Sequence, residues 1–230
     1  MKEIYQKIKI NPDILKIFAL ITMTIDHICM IFFPDPANNA NRIIGRTAFP
    51  IFSFLLMYHL YKKKIFKKYT SRLLIFGLLT SLLLLPFYSG ELNILWTFLF
   101  PVLTLWIIEN ARKDVPWYLV VFIASFALCI FGILSPLANY GFLGYLYLLA
   151  FWLYFEKPHA ISVILLLILA LFVNKPMILG GIVTVLTTSF MLCIDMDKKY
   201  PRLIKNKWFF YCYYPLHLLL LYSIRALIMV

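Results

Sequence analysis

Nine apolar runs, each close to the length needed to cross a bilayer, follow one another along these 230 residues with short polar or basic breaks between them. A helix needs about 20 mainly apolar residues to traverse about 30 Å of hydrocarbon. The runs cover approximately residues 13–33, 43–61, 70–88, 92–110, 116–134, 138–155, 158–173, 176–194 and 207–228. They predict an all-α, polytopic transmembrane helix bundle of about nine spans, forming a single domain over residues 1–230. The seventh run is short and the break at Asn174, Lys175 and Pro176 is tight, so runs seven and eight are alternatively a re-entrant pair.

Composition agrees with that class. The chain is 63% hydrophobic and 14% charged, against about 45–50% and about 25% in soluble domains. A formal charge of +12 raises the question of nucleic acid, but the basic residues fall between apolar runs and carry no nucleic-acid motif. Their distribution instead sets orientation. Eighteen of the 22 Lys and Arg residues fall in alternate breaks on one side, from Lys2, Lys7, Lys9 and Lys16 through Lys62–Lys68 and Arg72 to Lys205 and Lys207. Cytoplasmic loops collect positive charge, so the N-terminus is expected in the cytoplasm and the C-terminus outside. The first run is too long and bulky for a cleaved signal and is expected to remain in place. Cys29, Cys129, Cys193 and Cys212 lie inside apolar runs without metal-ligand spacing and read as small hydrophobes, so no metal site is expected. No GxSxG, Walker or zinc motif occurs.

The residues that carry chemistry are the ionisable ones inside the runs, because a charge at the bilayer centre costs about 2.5–3.5 kcal/mol on insertion scales. Asp26 and His27 are adjacent in the first run. Lys16 precedes His27 by eleven positions, about three helical turns, which places the two on one face roughly 16 Å apart. Leu20 and Thr24 lie near that stripe, whereas Asp26 points about 100° away, toward a neighbouring helix. Histidine both takes and gives a proton near neutrality. The plainer alternative is a neutral histidine bonded to another helix.

The second run opens with RIIGRTAFPIFSFLL. Arg46 lies at a depth compatible with Asp26, as a structural ion pair or as a binder of an anionic or carbonyl group. Gly45 permits close helix approach, Pro50 is expected to bend the helix, and Arg42 reads as an interfacial anchor. In the last run His217 is near the midplane, with Tyr214 on a similar face, and is expected to line the same cavity as His27. Trp208, Tyr211 and Tyr213 read as an interfacial aromatic belt. His59 and His159 read as solvated. Glu91 and Asn93 read as a polar loop, and the Lys62–Lys68 cluster as a topology signal or a phosphate binder.

Three segments together, LKIFALITMTIDHICMIFF, RIIGRTAFPIFSFLL and YCYYPLHLLLLY, resemble the TraX family of bacterial inner-membrane proteins. More distantly, the Lys16 to His27 spacing resembles the first catalytic helix of the integral-membrane acyltransferase family three. These likenesses imply an acetyltransferase with acetyl-CoA as co-substrate. His27 would be the general base, assisted by Asp26, Arg46 and His217, and Lys16, Tyr214 and Arg42 would lie toward the cofactor. The implied acceptor is a pilin N-terminus, a peptide, a lipid or a glycan. Two other classes remain open. A proton-coupled transporter or small channel would use Asp26, His27 and His217 as a relay, and a non-catalytic assembly factor for a surface appendage would need none of them.

Overall fold

The computed structural model describes residues 8–33, 39–87, 92–114, 116, 119, 139–174, 177–198, 200–206 and 208–228. The fifth predicted run, apart from residues 116 and 119, lies outside them, as do Glu91, Cys129, Lys175, Pro176 and Lys207. The described chain is all-helical, and an isolated parallel bridge joins Ile8 to Ile194. The helices are α1 (Pro12–Phe32), α2 (Asn39–Gly45), α3 (Ala48–Lys63), α4 (Phe66–Leu84), α5 (Ile94–Asp114), α6 (Gly141–Glu156), α7 (Ala160–Phe172), α8 (Ile178–Leu192) and α9 (Phe209–Ile228).

Local chemistry sets the ends. The Asn11 side chain accepts from the Asp13 amide, Pro12 opens α1 where no backbone donor is needed, and Asp13 faces the positive end of the helix dipole. Lys64 ends α3 in the left-handed region at φ 49°. The expected bend at Pro50 is instead a break at Arg46 and Thr47. Pro50 falls in the first turn of α3, where its missing N–H costs no hydrogen bond.

Helices α1, α3, α6, α5, α4 and α9 pack in that cyclic order, and α9 closes back on α1. The α7–α8 pair lies outside this ring, with α7 on α6 and α8 on α3 and α2. The connections gather at two ends. At one end Asn11 reaches Pro201, Tyr58 reaches Asp197, and Ile8 pairs with Cys193 and Asp195. At the other, Asn139 donates to Leu92 and Phe87 stacks on Tyr222. These are called the Lys16 end and the Asp26 end below. Outward faces are apolar and open, as at Ile161 (78% exposed), Ile178 (77%) and Leu82 (64%), which suits lipid. Among the described residues three stretches are long and apolar enough to cross a membrane: Pro12–Phe32, Arg42–Lys63 across the α2–α3 break, and Ile94–Ala111. Helices α6, α7 and α8 are apolar but shorter, at 16, 13 and 15 residues.

One close approach between elements is at Gly45, where an added Cβ would stand 2.3 Å from Asp26 Cβ. Gly45→Ala is therefore expected to push α2 off α1 at a cost of about 1–3 kcal/mol. Thermal unfolding of the detergent-solubilised protein measures this, and an unchanged Tm would contradict the packing described.

Candidate functional site

A cavity of about 780 Å³ runs between the two ends of the ring, walled by α1, α3, α4, α5 and α9 and by the connections at 139–140 and 198–206. On α1 it is lined by Pro12, Asp13 and Asp26 and by Lys16, Leu20, Met23, His27 and Met30, the last five spaced so that they share one helix face. The predicted stripe is thus the cavity wall. Thr24 leaves it and bonds the Tyr213 hydroxyl at 2.8 Å.

At the Asp26 end the carboxylate meets two guanidinium groups. Arg42 Nε lies 3.2 Å and Arg46 Nη2 3.4 Å from the same Oδ1. Side-chain exposure is 14% for Asp26, 13% for Arg46 and 28% for Arg42, so the pair with Arg46 is largely out of water. Arg42 is therefore an ion-pair partner, contrary to its reading as an interfacial anchor. The break after Gly45 brings both arginines, one turn apart, onto the same acid. Arg46 Nη1 also makes long hydrogen bonds to the Tyr140 hydroxyl at 3.4 Å and to Asn174 Oδ1 at 3.5 Å.

Deeper along α1, His27 Nδ1 and His217 Nε2 are 2.7 Å apart. The direction of that bond follows from the second nitrogen of His217, which sits 2.9 Å from the Tyr213 carbonyl oxygen. A carbonyl only accepts, so Nδ1 of His217 carries the proton and, in the neutral ring, its Nε2 accepts. Nδ1 of His27 must then donate, which leaves the lone pair of His27 on Nε2. Among the described residues nothing hydrogen-bonds His27 Nε2, and His27 lines the cavity. The Tyr213 ring stacks on His217 at 5.1 Å, and the Tyr214 ring meets His27 edge-on at 6.2 Å.

His217 is 8% exposed and does not itself line the cavity, contrary to expectation. It stands behind His27, because the bond to Tyr213 and the two flanking rings fill the space around it. Tyr214 does line the cavity. Lys16 lines it toward the opposite end, bonded to Asp13 at 2.8 Å and lying 5.1 Å from the centre of the Phe210 ring. The expected aromatic belt also turns inward in part, since Tyr211 stacks on Phe76 and Tyr213 on His217. His59 is half-buried on the cavity wall and bonds the Leu55 carbonyl, whereas His159 is exposed and caps α7. Asn93 is 6% exposed and bonds Gly77 and Ser81, so it is packed rather than a free loop residue.

Tyr140 carried no signal in the sequence. It sits at φ 64°, a left-handed conformation uncommon for an aromatic residue, and stacks on Phe49 with centroids 4.0 Å apart. Its hydroxyl meets Arg46 in the cavity wall, which only the fold could reveal.

A family model described as TraX protein matches residues 11–225. The chain is 27% identical over 242 residues to a "probable fimbrial assembly protein FimC, serogroup H1" of Dichelobacter nodosus, covering 92% of this chain and 94% of that one. It is 39% identical over 70 residues to an uncharacterized protein of Rickettsia prowazekii (strain Madrid E), covering 30% of this chain and 25% of that protein. No solved structure matches.

Removing one partner of a buried ion pair strands the other charge at a cost of about 3–5 kcal/mol. Asp26→Ala, which strands two arginines, is expected to lose about that much. The double variant Asp26→Leu/Arg46→Met should recover part of it. Unfolding in detergent measures both, and equal stability of Asp26→Ala and wild type would rule out a structural role for the pair.

Proposed function

The chain belongs to the TraX family, and from that premise we propose that it transfers an acetyl group from acetyl-CoA to an amine or hydroxyl acceptor within the bundle. The observation that carries the reading is the Nε2 lone pair of His27, without a hydrogen-bond partner among the described residues, on a ring bonded to His217 that lines a cavity also reaching Lys16. The protein is read as a multi-pass protein of the bacterial cytoplasmic membrane with about nine crossings. The Lys16 end, rich in basic residues, is cytoplasmic and the Asp26 end outside. The two ends alternate along the described helices, which supports that count. A relative described as a fimbrial assembly protein favours a pilin-type subunit as acceptor over another peptide, a lipid or a glycan.

In this mechanism His27 Nε2 removes the proton from the acceptor amine or hydroxyl as that atom attacks the thioester carbonyl. The new C–N or C–O bond forms, the C–S bond breaks, and the departing thiolate takes the proton back from His27. Histidine 217 acts through His27. Its Nε2 accepts the Nδ1–H bond, fixes the tautomer and shares the positive charge that appears when His27 is protonated. Arg46, from the cavity wall, stabilises the carbonyl oxygen as it becomes anionic, and Asp26 with Arg42 fixes its orientation. Lys16 and Tyr214 lie along the path of the donor.

A cavity reaching toward both ends would also suit a proton-coupled transporter with Asp26, His27 and His217 as its relay. The two readings separate in membranes incubated with isotopically labelled acetyl-CoA and a pilin-type subunit. Wild type should label the subunit, and His27→Ala should lower the rate by about 10²–10⁴-fold. Equal labelling by the two proteins removes His27 from the chemistry. No labelling of any acceptor favours transport.

A further inference from the structure

The Asp26 end of the cavity carries more positive charge than its ion pairs neutralise. Arg42, Arg46 and Asp26 all line it, and among the described residues Asp26 is the only acid on that part of the wall, Asp13 lying at the Lys16 end. One carboxylate faces two guanidinium groups through a single oxygen, at 3.2 and 3.4 Å. The other groups that Arg46 meets, the Tyr140 hydroxyl at 3.4 Å and the Asn174 amide oxygen at 3.5 Å, are neutral and leave the surplus in place.

The donors are also under-satisfied. Arg46 Nε is out of solvent and has no hydrogen-bond partner among the described residues. Arg42 bonds Asp26 through Nε alone, so both of its Nη groups are without a partner there, and its side chain is 28% exposed. A buried donor without an acceptor is costly, and an unanswered charge more so. The rest of the wall toward this end is largely apolar, with Leu84, Leu92, Leu95 and Leu218.

A structural ion pair needs one cation for one acid. It does not explain a second arginine brought beside the same acid by a helix break, nor an Nε donor that no described residue meets. We propose that Arg42 and Arg46 form an anion subsite for the acceptor, which is a peptide carrying a carboxylate side chain close to its reacting N-terminal amine. The proposal rests on the reading of the cavity as an acyl-transfer site with a peptide acceptor, and names the feature by which that acceptor is chosen. Arg42 is the principal contact, because Arg46 also serves the thioester carbonyl. A carboxylate accepts two parallel bonds from one guanidinium, which suits the two Nη groups of Arg42. His27 follows Asp26 on α1, turned about 100° from it, so the two side-chain ends stand roughly 10 Å apart. A peptide extends about 3.3 Å per residue, which puts the carboxylate about three residues from an amine at His27. Anionic lipid headgroups of the outer leaflet share the charge and are the competing source.

The test measures binding of two synthetic peptides to the full chain in phosphatidylcholine nanodiscs. Both have a free N-terminal amine and an apolar C-terminal half, and they differ only in Glu or Gln at the third position. Wild type should bind the Glu peptide about tenfold or more tightly than the Gln peptide. Arg42→Gln should abolish that preference, weakening the Glu peptide about tenfold and leaving the Gln peptide within about twofold of wild type. Arg42→Lys, which keeps the charge, should retain most of the preference and so control for folding. Equal binding of the two peptides by wild type, binding of neither, or a preference that survives Arg42→Gln overturns the subsite. In a second arm the nanodiscs contain phosphatidylglycerol. Loss of Glu-peptide binding there, with phosphatidylglycerol retained on purification by wild type but not by Arg42→Gln, identifies lipid as the occupant and also overturns it. Acetylation of the same peptides by labelled acetyl-CoA is read separately. Charge-dependent binding without acetylation of either peptide would leave the subsite standing and remove the transferase reading. Acetylation of both peptides with equal kcat/KM would do the reverse.

Discussion

One carboxylate shared by two guanidinium groups organises the Asp26 end of this bundle. A lone Asp in an apolar helix is expensive, and pairing offsets its cost only if the cations arrive with good geometry. The chain meets that requirement by breaking its second apolar run. Because α2 ends at Gly45 and α3 begins at Ala48, Arg42 and Arg46 both reach Asp26, while Gly45 lets α2 rest against the Asp26 side chain. Two positive groups on one negative leave charge to spare, and Arg46 uses it on Tyr140 and Asn174. The entry to α6 and the turn between α7 and α8 are thereby tied to the same point.

Anchoring Asp26 toward α2 fixes the rotation of α1, and that rotation decides where His27 points. Adjacent residues on a helix diverge by about 100°, so the helix that turns Asp26 to the arginines turns His27 to α9. There it finds His217, whose other nitrogen is committed to a backbone carbonyl. The order of donors and acceptors follows from that commitment, and it ends with a lone pair on Nε2 of a residue that lines the cavity. A neutral histidine pair gives the bundle a proton acceptor without adding another buried charge.

Much of this was legible in the sequence because it depends on period. Hydropathy marked the helices, and the eleven-residue offset between Lys16 and His27 marked the face of α1 that became the cavity wall. The match of depth between Asp26 and Arg46 was also readable from helical rise. What escaped depended on contacts between segments remote in sequence. Arg42 looked like an anchor because nothing local shows that a break after Gly45 swings it inward. His217 was expected on the cavity wall, yet only the positions of the Tyr213 carbonyl and the flanking rings place it behind His27. Tyr140 joins the site through an unusual backbone conformation that no pattern in its neighbourhood announces. The basic cavity lining lies between these cases: Lys63, Lys68 and Arg72 were visible as a cluster near one connection, but their convergence with Lys198 and Arg202 was not.

The central claim is that His27, on the cavity wall, keeps a free nitrogen while His217 is held behind it. Mapping carbethoxylation by mass spectrometry, with and without coenzyme A, tests this most directly. The account predicts that diethyl pyrocarbonate modifies His27 and spares His217, and that coenzyme A protects His27. Modification of His217 as readily as His27, or no protection of His27 by saturating coenzyme A, would contradict it.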